Sequence, residues 1–546
     1  MKLVKSLLLG SAAGLTVVAG AQAADLPVKK AAPVEYVRVC SAYGAGFFFI
    51  PGTDTCMRVS GRARFEAGYT QSYTRGNANN GGDLMGYQGL GRLNIDARTQ
   101  TAYGTLRAFV RFDLASRTGA YLYSGTLNRI ANAFPAQGID TFNRAQQAVN
   151  VDKAFIQFAG LTAGRAASFY DFYAHDFEMI GTSLGSDVFS TNLLAYTATF
   201  GQGFSATISV EDPIFRKTPL FGNGSATVAN AQYQVFGAGS GNFTPVFATN
   251  AAGVPVGEAF YDVVQRSRMP DFVGVLRYDA AWGSAQLSAA VHELNTGNAN
   301  LIVPLPGIVS TAGATAPRPT TEYGWAVQGG VKINLPFIAA GDSLYLQGSY
   351  GEGATMYTGY NRYNGAYAPS GNVAAGSSFN NFYSDAVVDP FTGKMELSTS
   401  WTVVGAYLHY WTPQWRSAFI GSYGEQSFGK SSRNNLAAAT TLIGSALIGN
   451  PASPLFAYSN VLRDTNQLVA GASLIWSPVK DLDIGVEGLY ARQGLKNGRV
   501  VDANKATGAA VGVNAAGLPV TAAGLVLPTV SSTDSFQVRM RVQRDF

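Results

Sequence analysis

The chain predicts an all-β fold, a transmembrane antiparallel β-barrel of 16 strands with long external loops and short periplasmic turns. Three observations carry this. Segments of period 2 recur along the chain, one parity apolar and the other charged. Long Gly-, Asn-, Ser- and Ala-rich connections alternate with short Gly- or Pro-bearing ones. The chain also stops on an aromatic, Phe546, at the end of an alternating segment.

The first element is an export segment, residues 1–23. Lys2 and Lys5 form a basic start, Leu7 to Ala19 is a short apolar stretch, and Ala21-Gln22-Ala23 is a cleavage site of the A-x-A kind. The apolar run is shorter than the ~20 residues a spanning helix needs. Removal takes two lysines and no acid from 39 basic and 34 acidic residues, leaving +3, too mild for nucleic-acid binding. The next longest apolar run, Ala437 to Gly449, is also too short to span. Any membrane crossing is therefore made by strands. The chain has two cysteines, Cys40 and Cys56, and export into an oxidising compartment predicts a disulfide between them. The expected organisation is a signal peptide 1–23, an N-terminal periplasmic-side segment 24–56 and a barrel 57–546.

The strands follow. Arg58 to Tyr69 alternates Val59, Gly61, Ala63, Phe65, Ala67 and Tyr69 against Arg58, Ser60, Arg62, Arg64 and Glu66. Arg92 to Thr99, Leu106 to Leu114 and Tyr323 to Leu335 alternate in the same way. Charge on one face and apolar groups on the other suit a lipid-facing outside and a wet inside. Seven short turns lie at 102–104, 160–161, 201–203, 282–284, 336–341, 412–414 and 477–481. Eight long stretches separate them, near 70–87, 117–150, 172–190, 213–270, 296–321, 353–395, 427–465 and 494–532. Strict alternation places short turns on one side of a membrane and long loops on the other, and sixteen strands bring both ends of the barrel to the short-turn side. Trp282, Trp411, Trp415 and Trp476 sit at short turns, and Trp325 and Trp401 just inside strands that descend from long loops, as interfacial girdles require. In the closing segment Phe536, Val538, Met540 and Val542 oppose Gln537, Arg539, Arg541 and Gln543.

Candidate chemistry concentrates after the fifth strand, read as Leu161 to Phe169. The connection that follows carries Asp171, His175, Asp176, Glu178 and Asp187. The polar faces of the early strands carry Arg62, Arg64, Arg92, Arg98, Arg107, Arg111 and Arg165. If the connection folds inward, acids face a basic wall across a water-filled gap, and the transverse field sorts solutes by charge and size. If it stays outside, the acids are solvated and the arginines pair locally. Gly181-Thr182-Ser183-Leu184-Gly185 matches a nucleophile-elbow pattern but lies in a Gly/Ser-rich loop rather than a strand–turn–helix. The three histidines have no metal-ligand spacing, so no metal, cofactor or catalytic residue is expected.

The mature start adds a resemblance. Ala24-Asp25-Leu26-Pro27-Val28-Lys29, Glu35-Tyr36-Val37-Arg38-Val39-Cys40, Tyr43-Gly44-Ala45-Gly46-Phe47 and Ile50-Pro51-Gly52-Thr53-Asp54-Thr55-Cys56 resemble the N-terminal signature of alphaproteobacterial porins of the rhizobial type. Phe546 resembles the terminal signal read by outer-membrane barrel assembly machinery. The resemblance implies a homotrimeric general diffusion porin in the outer membrane of a Gram-negative bacterium, beside lipid and lipopolysaccharide, passing small hydrophilic solutes and ions. It also implies an inward third loop carrying Asp171, Asp176, Glu178 and Asp187 opposite Arg62, Arg92, Arg107 and Arg111. The alternatives are a substrate-specific channel, which would want an aromatic track along the lumen, and an outer-membrane barrel enzyme, which would want a convincing Ser/His or Asp/His constellation.

Overall fold

Sixteen strands close on themselves. The structure, a computed structural model, describes residues 38–70, 85–119, 137–139, 145–179, 181, 183–187, 190–218, 220–221, 243–263, 265–297, 302–360, 383–442, 450–502 and 505–546. The export segment and the mature start up to residue 37 lie outside them.

The barrel strands are β1 (Cys56–Thr70), β2 (Met85–Thr101), β3 (Gly104–Gly119), β4 (Ala145–Phe158), β5 (Leu161–Ala166), β6 (Thr191–Gly201), β7 (Phe204–Glu211) and β8 (Asp271–Ala280). They continue as β9 (Gly283–Asn295), β10 (Thr321–Asn334), β11 (Ser343–Glu352), β12 (Thr399–Tyr410), β13 (Trp415–Ser427), β14 (Thr465–Val479), β15 (Leu482–Leu495) and β16 (Ser532–Asp545). Each pairs antiparallel with its chain neighbours. β16 returns to β1, with Arg62 opposite Asp545 and Tyr69 opposite Val538. Closure leaves no strand edge in the hydrocarbon, where an unpaired N–H or C=O would cost several kcal/mol.

The predicted parity holds. Val59, Phe65, Leu93, Leu106, Leu114, Val327, Phe536 and Met540 are exposed on the outside, whereas Glu66, Asp113, Gln328, Glu487 and Arg539 are buried on the inside. An apolar belt of this extent needs lipid against it. Tryptophans mark its rims. Trp415 stacks on Trp476 at the short-turn end, with ring centroids 5.7 Å apart. Trp325 meets Tyr350, and Trp401 meets Tyr423, toward the long-loop end.

The same register corrects one assignment. Arg165 on β5 is opposite Ala154 and Asn192. These share the outward face with Ile156 and Leu194, which are exposed. Arg165 therefore stands outside the lumen, with its Nε donating to the Val151 carbonyl at 2.8 Å. It has the parity of Leu161, so the alternation itself carried this information.

At the short-turn end, Cys40 and Cys56 are joined, with Cα atoms 5.9 Å apart. The segment they close lies over the periplasmic mouth: Phe48 and Phe49 pair with Met57 and Cys56, and the Arg98 guanidinium sits 5.0 Å from the Phe47 ring centre. Closing a loop of this length is worth about 3 kcal/mol in the chain-entropy description, and that gain acts on the segment, not on barrel closure. A Cys40→Ser, Cys56→Ser double variant is therefore expected to keep its barrel melting temperature while residues 41–55 become readily cleaved in limited proteolysis. A large fall in barrel melting, with unchanged cleavage, would contradict this.

Candidate functional site

β5 is only six residues long. It stops at Ala166 rather than running on to Phe169, and the chain then turns into the lumen. Irregular backbone survives there only if its polar groups find partners, and inward side chains of the wall supply them. Gln286 of β9 and Gln328 of β10 donate to the Tyr170 carbonyl, at 3.3 and 3.0 Å. Gln347 of β11 accepts from the Tyr173 N–H at 2.9 Å, and Ser422 of β13 from the Leu184 N–H at 3.1 Å. On the far wall, Glu487 of β15 accepts from the Met179 N–H at 2.9 Å. Arg539 and Arg541 of β16 donate to the Met179 carbonyl, at 3.2 and 2.7 Å. The segment thus crosses the barrel from β9 to β16.

Two further connections enter with it. After β11, the one-turn helix Thr355–Thr358 is wholly buried. Its Tyr357 hydroxyl donates to Asp271 of β8 at 2.6 Å, and the Tyr360 hydroxyl bonds to that of Thr465 on β14 at 2.7 Å. After β7, Arg216 reaches Asp171 at 2.6 Å and Ser186 at 3.0 Å, with its guanidinium 4.4 Å from the Tyr357 ring centre. Asp385 joins the same two connections. Its carboxylate accepts from the backbone N–H groups of Thr218 and Thr355, at 3.1 and 2.8 Å. Phe172, Tyr173, Tyr345, Tyr360 and Tyr383 pack with Val404, Ala406 and Ile420 into one apolar cluster. The half of the lumen beneath β11–β13 is therefore filled. On the other side a cavity of about 360 Å³ remains between residues 174–179 with Gly181 and a wall bearing Arg62, Arg64, Arg92, Arg541 and the pair Arg416–Asp483.

The four candidate acids divide sharply. Asp176 is exposed in this cavity and accepts from the Tyr345 hydroxyl at 2.7 Å. Asp187 is half-buried, within electrostatic reach of Lys153. Asp171 is turned away from the water and paired with Arg216. The Glu178 side chain is wholly buried, 2.9 Å from His175 Nδ1, and accepts from the Ser183 N–H and the hydroxyls of Ser183 and Tyr173. Burial alone pushes this carboxyl up, but His175 and Ser183 outweigh it and hold it down at about 2. The expectation that Asp171 and Glu178 present charge to the gap is corrected: both tie the segment to itself and its neighbours.

Among the basic residues, Arg62 pairs with Asp545 at 3.0 Å and Arg92 with Asp113 at 2.6 Å. Arg64 bonds Gln543 Oε1, and Arg111 bonds Asn94 Oδ1 at 2.9 Å and Asp152 at 3.4 Å. Arg98 and Arg107 share Asp96, at 2.8 and 2.9 Å, beside the disulfide segment and away from the crossing loop. Ser183, His175 and Glu178 do come together, but not as a relay. Ser183 Oγ and Glu178 Oε1 converge on the same ring nitrogen, Nδ1, and the serine hydroxyl is buried. No group of three or more His, Cys, Asp or Glu among the described residues has the arrangement of a metal site.

Arg216, Asp385, Tyr357 and Glu487 were not singled out from sequence. A signal did exist for part of this: Gln286, Gln328 and Gln347 occupy inward positions on three successive strands, a row of amides waiting for a backbone.

Comparison with known proteins places this architecture. Residues 25–516 match the family model described as Porin subfamily. The chain belongs to this porin family. Porin Omp2b of Brucella suis is 30% identical over 379 residues, covering 68% of this chain and 80% of that one. Porin Omp2b of Brucella canis is 31% identical over 382 residues, with the same coverage. Among solved structures, the outer membrane channel DcaP of Acinetobacter baumannii aligns over 91% of this chain and 99% of that one, with a TM-score of 0.49 and 13% identity. This porin is an outer-membrane channel of a Gram-negative bacterium.

Proposed function

We propose that this porin passes small hydrophilic solutes and ions by general diffusion, and that its narrowest section is the cavity between residues 174–179 with Gly181 and the arginine wall. The observation that carries this reading is the crossing of the barrel by one loop that leaves, among the described residues, a charged gap against the wall of Arg62, Arg64, Arg92 and Arg541. Asp176 on the loop and Asp483 on the wall supply the carboxylates of that gap, Asp483 paired with Arg416 at 2.7 Å, and Arg62, Arg64, Arg92 and Arg541 supply the opposite charge, with Arg111 further along the same wall. Asp171, Glu178 and Arg216 act one step back, by holding the loop in place. No catalytic step is assigned to Ser183 and His175, which serve the same holding role.

Residues 1–23 direct export and are removed, and the mature chain assembles as a homotrimer beside lipid and lipopolysaccharide. The ending on Phe546 addresses the barrel assembly machinery. The terminal residue also has a structural duty: its N–H and carbonyl exchange hydrogen bonds with Gly61, at 3.0 and 2.9 Å, and extend the closing seam by one residue.

Purified protein added to a planar lipid bilayer is expected to give stepwise, water-filled conductance, with three equal closing steps for a trimer. A folded, detergent-stable oligomer that produced no steps would sink the channel reading, and single closing steps would remove the trimer.

A further inference from the structure

We infer that the constriction selects for small anions, carboxylates and phosphates among them. This rests on the diffusion reading above and adds the class of solute it favours.

Three guanidiniums of the wall, Arg64, Arg92 and Arg541, pair with acids that lie behind them, whereas Arg62 and Arg416 pair with Asp545 and Asp483, whose side chains are 41 and 31% exposed. Glu66, paired with Arg541 at 2.6 Å, and Asp113, paired with Arg92 at 2.6 Å, have wholly buried side chains, whereas Arg64, Arg92 and Arg541 remain 11, 15 and 14% exposed. Each pair is a dipole with its positive end toward the passage. On the facing loop the balance that four acids suggest is missing. Glu178 is enclosed by Ser183, His175 and Tyr173, Asp171 is enclosed by Arg216, Asp187 is half-buried within electrostatic reach of Lys153, and Asp176 alone of the four is exposed. Arg62, Arg64, Arg92, Arg416 and Arg541 thus line the gap against the exposed Asp176 and the partly exposed Asp483, so the surface met by a permeating solute is cationic although the whole chain is nearly neutral. In a narrow gap with low-dielectric walls, screening over a Debye length of about 8 Å does not remove such a field. The exposed groups are guanidiniums, whose paired N–H donors match the oxygens of carboxylate and phosphate.

The test is the zero-current potential of single channels in a KCl gradient. The expected sign is that of an anion-preferring pore, with chloride more permeant than potassium by on the order of threefold. An Arg62→Gln, Arg64→Gln double variant keeps Arg541 on both Glu66 and the loop, and is expected to bring the ratio toward one. Asp176→Asn is expected to raise it. Glu178→Gln is not expected to act through charge, because its carboxylate does not face the passage. Conducting wild-type channels with a zero or cation-signed potential, or a ratio unmoved by the double variant, would overturn the inference and leave the diffusion reading intact. Absence of conductance would strike the diffusion reading instead, so the two failures are distinguishable.

Discussion

Arg216→Ala is expected to give a porin whose barrel still forms but whose single-channel current is larger and noisier. The residue sits in the connection after β7, yet it is wholly enclosed between two other connections. It holds Asp171 at 2.6 Å and Ser186 at 3.0 Å in one, and it lies over Tyr357 of the other. Burial opposes a charge here, but Asp171 and the surrounding acids outweigh it and keep the guanidinium protonated. Removing one partner of such a pair leaves the buried Asp171 carboxylate with the Ser186 hydroxyl but without its opposite charge, a loss of up to about 3–5 kcal/mol. The strands do not share this cost, since their hydrogen bonds close without the loops. The loops bear it, and the lowest-energy escape for Asp171 is toward the water of the lumen. A double variant, Arg216→Met with Asp171→Leu, removes both charges and is expected to recover much of the quiet wild-type current, because apolar groups of similar size replace a buried pair at little cost. Single-channel recording of the three proteins decides this. An unchanged current in Arg216→Ala, in protein shown to be folded, would mean that the pair does not hold the lumen closed.

Gly359→Val is expected to have a comparable effect through shape alone. Gly359 ends the buried helical turn of the connection after β11, with φ at +75°, where a β-branched side chain is strained. A Cβ there would stand 2.3 Å from the Leu184 carbonyl oxygen and 2.9 Å from the Gly185 carbonyl carbon. Those atoms are backbone of the crossing loop and cannot move aside as a side-chain tip would. Overpacking of this kind costs about 1–3 kcal/mol before backbone strain is added. The expected result is separation of the two inward connections, seen as new conductance sublevels and faster proteolysis in residues 170–187. Gly421→Ala is the control, because a Cβ at Gly421 meets nothing within 4 Å. Identical traces from both variants would show that the contact between the connections does not shape the passage.

These two positions show where sequence reading stops. The strands were legible because their information is local. Parity along Arg58 to Tyr69 is set by side-chain hydration, and each short turn carries the Gly or Pro that its backbone needs. The count of sixteen followed from the alternation of connection lengths. Arg165 shows that parity outranks charge: its register puts it with Leu161 on the outside. The crossing loop was legible as an acidic stretch after an early strand, but not the division of labour inside it. Asp171 depends on Arg216, 45 positions away, and Met179 is held from β15 and β16, more than 300 positions away. No local pattern encodes pairings of that separation. The entry of the connections after β7 and β11 was missed for the same reason, although the row Gln286, Gln328 and Gln347 hinted that the wall expected a backbone.

By itself the sequence determined a closed barrel of sixteen strands, its two rims, its apolar outside and charged inside, and the disulfide between Cys40 and Cys56. Each of these follows from alternation, turn chemistry or compartment, and none needs a distant partner. Only the tertiary structure decided which half of the lumen is filled and which charges meet the water. A carboxylate faces a passage or is withdrawn from it according to the partner the fold brings within hydrogen-bond reach, as Asp176 and Glu178 show from two positions apart on the same loop.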